Sequence, residues 1–118
     1  MDAELDFASA SALERHITDH LAEHSDVRHL CLLAQPINRI DITGVETFMR
    51  IRALMCLRSG TLHLSGLKLP AEECLRRAGA LDPGQDLALY RTDAEALAAL
   101  REVCTAYVEA STPVPAQR

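Results

Sequence analysis

Asn38-Arg39-Ile40-Asp41-Ile42-Thr43-Gly44-Val45-Glu46 joins an apolar run, His29 to Ala34, to a helix-like segment, Val45 to Arg58. It therefore reads as a strand-to-helix turn holding an acid, a hydroxyl and a glycine within four positions, 41 to 44. Thr43 and Glu46 have the T-x-x-E spacing of a capping box, which predicts Thr43 at the helix N-cap. A hydroxyl there would lie beside unpaired backbone N–H groups and the positive end of the helix dipole. Those groups would also favour an anion, including a phosphate on the hydroxyl.

Outward from this turn the apolar pattern alternates between strand and helix periods. Glu4 to Ala8 alternates as a short edge strand. Ser11-x-x-Glu14 is a second capping box, followed by Leu13, Ile17 and Leu21 at helical spacing up to about His24. Val27 to Ala34 is apolar almost throughout, as in a strand covered on both faces, and Gln35-Pro36 ends it. Ser59-Gly60 stops the second helix. Thr61 to Leu67 alternates as a strand, and Pro70 opens a short helix ending at Ala78-Gly79. Asp82-Pro83-Gly84 is a turn and Leu87 to Tyr90 a short strand. Thr92-x-x-Glu95 is a third capping box, heading an Ala-rich helix from Ala94 to about Tyr107. This order predicts an α/β domain over residues 3–107, with about four mostly parallel strands and about four helices. Residues 108–118 read as a flexible tail.

Composition narrows the function classes. A length of 118 residues suits one domain with one core. With 3% aromatic residues and no Trp, aliphatic side chains must build that core. The net charge of −5 argues against nucleic acid and anionic membrane surfaces as partners. Cys31, Cys56, Cys74 and Cys104 include no C-x-x-C pair and read as reduced thiols of a cytosolic protein. No apolar run approaches the roughly 18 residues of a membrane span, and the acidic N-terminus is not a signal peptide.

The ordered set Ile40-Asp41-x-Thr43-Gly44, Gly60, Leu62-His-Leu-Ser-Gly-Leu67 and Cys74-Leu75-x-x-Ala78-Gly79-Ala-Leu81 resembles the STAS domain family. Thr92 to Leu100 is similar to that family's last helix, so the resemblance spans about Leu5 to Leu100. It implies a STAS-like fold, with an additional edge strand ahead of the first one. These domains occur in anti-sigma factor antagonists and at the cytoplasmic C-terminus of SulP anion transporters. In the antagonists the hydroxyl residue before the motif glycine is the phosphoacceptor, which makes Thr43 the phosphoacceptor-like position here. Antagonists usually carry Ser where this chain has Ile42. Asp-x-Thr-Gly looks more like the transporter branch, as does Gly66-Leu-Lys-Leu-Pro70. The resemblance thus implies a cytoplasmic, non-catalytic regulatory domain of a transporter of sulfate or bicarbonate class. Its partners would be that transporter's transmembrane domain, a second copy, or a cytosolic protein. A free-standing antagonist switched at Thr43 and a small-ligand or nucleotide sensor are the alternatives.

The residues themselves also carry bland readings. Thr43 and Asp41 can simply cap the helix and tie down the loop. His16, His20 and His24 recur every four residues and could present imidazoles to a metal, but they read first as a solvated helix face. Arg50, Arg52 and Arg58, with Arg39 upstream, read as solvent-facing charges or as a docking face for an acidic partner. Val45, Phe48, Met49, Met55 and Cys56 can share a core face. That leaves Ile51 and Leu54, beside the arginines, as a contact patch extending from the loop Asp41, Ile42, Thr43, Gly44 and Glu46. No nucleophile elbow, Walker loop or dinucleotide fingerprint is present, so neither an enzyme nor a cofactor is expected.

Overall fold

In a computed structural model, described for residues 3–5, 7–34, 37–82, 84–103 and 105–109, strands and helices alternate along most of the chain. The elements are β1 (Ala3–Leu5), α1 (Phe7–Glu23), β2 (His29–Leu33), β3 (Ile37–Ile40), α2 (Ile42–Leu57), β4 (Thr61–Ser65), α3 (Leu69–Arg77), β5 (Leu87–Tyr90), α4 (Asp93–Ala99) and β6 (Thr105–Glu109). A four-stranded sheet in the order β5-β4-β2-β6 is parallel throughout. A separate parallel pair joins β1 to β3. The architecture is the α/β arrangement expected of a STAS-like fold.

The two faces of the main sheet are covered unequally. Leu30, Leu32, Leu62, Leu64, Ala106 and Val108 point to one face. They pack against Leu13, Ile17 and Leu21 of α1, Val45, Phe48, Ile51 and Met55 of α2, and Ala71 and Leu75 of α3. This is the main core, and β2 is indeed buried through its middle. The other face is covered by α4, whose Ala96 and the following Leu100 rest on Cys31, with Leu33 and Tyr90 alongside.

Several local expectations are corrected. The first helix begins at Phe7, so Ser11 lies inside it and heads no box. The Ala- and Ser-rich sequence lets the helix extend backwards, and the first strand ends at Leu5. Residues 38–40, read as part of the turn, belong to β3, which pairs with β1. The fourth helix stops at Ala99, and β6 occupies the place given to its last turns. Ala106 and Val108 alternate into the core beside Leu30 and Leu32, a burial that outweighs the helix propensity of the run. Val108 and Glu109, expected to begin the flexible tail, instead complete β6, with Val108 buried in the core. Gln35-Pro36, Pro83, Cys104 and the rest of the tail, 110–118, lie outside the described residues.

The end of α2 shows a division of labour between neighbours. Ser59, not Gly60, takes the left-handed conformation, with φ of 58°. Gly60 N–H donates to Met55 O and Ser59 N–H to Cys56 O, the pair of bonds of a Schellman stop. Gly60 is required for space: a Cβ there would lie 2.4 Å from Arg28 O. Pro70 opens α3 with Glu72 in the first turn, and Gly79 ends it with φ of 77°.

Candidate functional site

The corner between β3 and α2 is built by Asp41. Its backbone is extended, its Oδ1 accepts from Gly44 N–H at 2.8 Å, and its carbonyl accepts from Val45 N–H at 3.0 Å. Asp41 is therefore the N-cap, and Thr43 sits in the first helical turn. This corrects the capping box expected from Thr43 and Glu46. Asp is as good a cap as Thr or better, and its carboxylate gains from the helix dipole. Thr43 is half-buried, Gly44 buried, and Asp41, Ile42 and Glu46 exposed. Beneath the corner, Cys74 Sγ of α3 lies 3.4 Å from Ile40 O and ties α3 to the end of β3.

The outward face of α2 differs from expectation. Ile51 is 2% exposed and belongs to the core, and Leu54 is half-buried against it. Ile51 and Leu54 therefore form no surface patch. Met49 and Cys56, expected inside, are outside. At about 100° per residue, Ile42, Met49, Ala53, Cys56 and Leu57 fall within one stripe and Ile51 lies opposite it. Ile42 is 76% exposed and Leu57 84%. A groove of about 570 Å³ runs beside the stripe, bounded by Met49, Arg52, Ala53, Cys56 and Leu57 on one side and Gly79, Ala80, Asp82 and Asp86 on the other.

The arginines of α2 are mostly structural. Arg52 pairs with Asp86 through Nε at 2.8 Å and Nη2 at 3.0 Å, and also donates to the carbonyls of Ala80 and Asp82. That pairing, through hydrogen bond and charge, holds the Asp86 carboxyl below its usual range. Arg58 donates to the carbonyls of Val27 and His24. Neither is the solvent-facing charge expected. Arg50 is exposed and forms a forked pair with Glu14 of α1, which lowers the Glu14 pKa. Of Arg39 only the backbone is described.

The three histidines of α1 divide similarly. His16 and His24 are exposed and His20 is half-buried, with the His20 and His24 rings 4.3 Å apart. Among the described residues, no group of three or more His, Cys, Asp or Glu side chains is arranged to hold a metal. No helix among them is long and apolar enough to cross a membrane.

Two features escaped the sequence reading. The first is the Met49–Leu57 part of the stripe, which helical angles taken from Ile42 could have revealed. The second is a chain of side chains across β2, β4 and β5. His29 Nδ1 lies 3.0 Å from His63 Nε2, and His63 Nδ1 lies 3.1 Å from Tyr90 Oη. His63 is 6% exposed, and burial with the His29 charge lowers its pKa to about 4. Burial likewise raises the Cys31 thiol to about 11, so it is no reactive thiolate. The register between β2, β4 and β5 brings this chain together, and that register is not written in any one segment.

The family model described as STAS domain matches residues 1–105. A search of the curated proteins returns no match.

Proposed function

The chain belongs to the STAS domain family, and from that premise we propose that it is the cytoplasmic regulatory domain of a SulP-type anion transporter. The family assignment makes it a regulatory and interaction module. STAS domains are generally non-catalytic, and we assign this chain no reaction. The transporter branch is the finer reading, and the Asp41–Gly44 bond carries it. In this corner the anion position at the helix N-terminus is already filled by a carboxylate. A phosphate on half-buried Thr43 would sit between Asp41 and Glu46, against two negative charges. The corner therefore suits contact better than a phosphate switch.

The contact surface we propose begins at Ile42 and continues along α2 through Met49 and Leu57. Its exposed apolar stripe is the kind of face that a partner helix covers. The partner would be the transmembrane domain of the same transporter, a second copy, or a cytosolic protein. The gene's reading frame and one variant test this. About ten hydrophobic spans encoded ahead of Met1 support the transporter, and their absence contradicts it. In such a transporter, Ile42→Glu/Leu57→Glu should leave the helical circular dichroism intact and lower anion uptake severalfold. Unchanged uptake would remove the stripe from the mechanism.

A further inference from the structure

We propose that the cleft between α3 and the edge strand β5 binds an amphipathic monocarboxylate, with Arg91 taking the carboxylate and a leucine-lined wall taking the apolar body. The argument begins with topology. β4 and β5 are parallel neighbours. The chain leaving β4 enters α3, whose Ala71 and Leu75 pack on the main-core face of the sheet. The chain leaving β5 enters α4, whose Ala96 packs on the opposite face. The two connections therefore part to opposite sides, which opens a crevice outside the carboxyl ends of the two strands. In open α/β sheets such a crevice is where ligands bind. A cavity of about 750 Å³ lies there, a volume usual for small-molecule sites.

The lining divides by chemistry. Leu64, Leu67, Leu69 and Leu89 supply its apolar part. Leu64 and Leu89 are partners in register, so both point to the side of the sheet that α3 covers. Leu64 is buried, whereas Leu89 on the edge strand is 45% exposed and Leu69 at the start of α3 is 64% exposed. The exposed surface of these two leucines borders this cleft, apart from the stripe on α2. The polar part holds one uncommitted charge. Glu72 is held by Arg76. The Glu95 carboxylate accepts the backbone N–H of Arg91. The Arg91 guanidinium is exposed at the cleft and, among the described residues, takes part in no ion pair.

The class of occupant follows from these groups. A guanidinium presents parallel N–H donors that match one carboxylate bidentately. A nucleotide or other polyanion would bring further negative charge toward Glu72 and Glu95, with no second cation in the lining to meet it. A bare inorganic anion would leave the leucines uncovered. An apolar chain or ring ending in one carboxylate satisfies both halves. This site is separate from the α2 contact surface and does not depend on the transporter assignment.

The test is an amide NMR titration of the full chain with sodium octanoate, and in parallel with octanol and sodium acetate. Octanoate should bind with a Kd on the order of 1 mM, as its size allows, and shift the amides of Leu67, Leu69, Leu89 and Arg91. Octanol and acetate each lack one half of the ligand and should bind roughly tenfold more weakly or less. Arg91→Gln should weaken octanoate roughly tenfold and leave octanol unchanged. Leu69→Ser should weaken octanoate and octanol together. Both substitutions fall at exposed positions, and the spectrum of each free variant reports whether the fold is kept. Octanoate that shifts none of these amides, or only those along Met49 to Leu57, would overturn the site. So would octanol binding as tightly as octanoate, or an octanoate affinity unchanged in Arg91→Gln. Should a variant fail to fold, the three probes on the wild type decide alone.

Discussion

Asp41 and Gly44 set the start of the second helix: the Asp41 carboxylate, outside the helix, accepts the N–H of Gly44, which is buried within its first turn. The stabilising role thus belongs to the acid of the motif. Asp41→Ala should lower stability by about 0.5–2 kcal/mol, the usual range for a lost N-cap. Asp41→Asn should cost less, and Thr43→Ala less than Asp41→Ala. Urea unfolding followed by circular dichroism measures all three, and a larger loss at Thr43 would restore it as the cap.

Ser59 and Gly60 should respond in opposite senses. Ser59 has φ of 58°, where a Cβ is unfavourable, so Ser59→Gly should leave stability unchanged or raise it by up to about 1 kcal/mol. Gly60→Ala drives a methyl against Arg28 O, at a contact where both partners are backbone. It should cost about 1–3 kcal/mol. Thermal melts of the two variants check the pair.

Arg52 joins α2 to the segment between α3 and β5 through bonds to Asp86, Ala80 and Asp82. Arg52→Ala should therefore cost about 1.5–3 kcal/mol, the range for hydrogen bonds to charged groups. Arg50→Ala removes a pair whose arginine is 54% exposed and screened by solvent, and should cost clearly less. Chemical unfolding of both variants should show that order.

Stability should fall with acid in two stages. The His63 pKa is lowered from 6.5 to about 4, so the unfolded chain binds more protons between those values. Stability is therefore full above about pH 6.5 and declines as pH falls to about 4, by on the order of 3 kcal/mol. Asp86 and Glu14 are also depressed, and their contributions are lost at still lower pH, below the ordinary carboxylate range. Urea midpoints measured across this range should bend in the first window in wild type and lose that bend in His63→Leu.

The alternation of strands and helices was legible because each element carries its own period. Leu62 and Leu64 point one way in β4, and Leu13, Ile17 and Leu21 share one face of α1. The Thr92 box was legible too: Thr92 Oγ1 accepts from Glu95 N–H, and the Glu95 carboxylate returns to Arg91 N–H. What failed depended on distant neighbours. β6 lies inside an Ala-rich context that looks helical until Ala106 and Val108 meet β2. In α2 apolar residues occur on both sides, so periodicity alone does not say that Ile51 faces inward and Met49 outward. His63 reads as one polar residue in an alternating strand, and its partners lie 34 and 27 residues away.

The central claim is that the Thr43 corner works by contact, with Asp41 in the place a phosphate would need. Intact-mass spectrometry of the protein purified from its own cells tests it most directly. The account predicts a mass without phosphate. Stoichiometric phosphate mapped to Thr43 would contradict it and make the chain a switched antagonist.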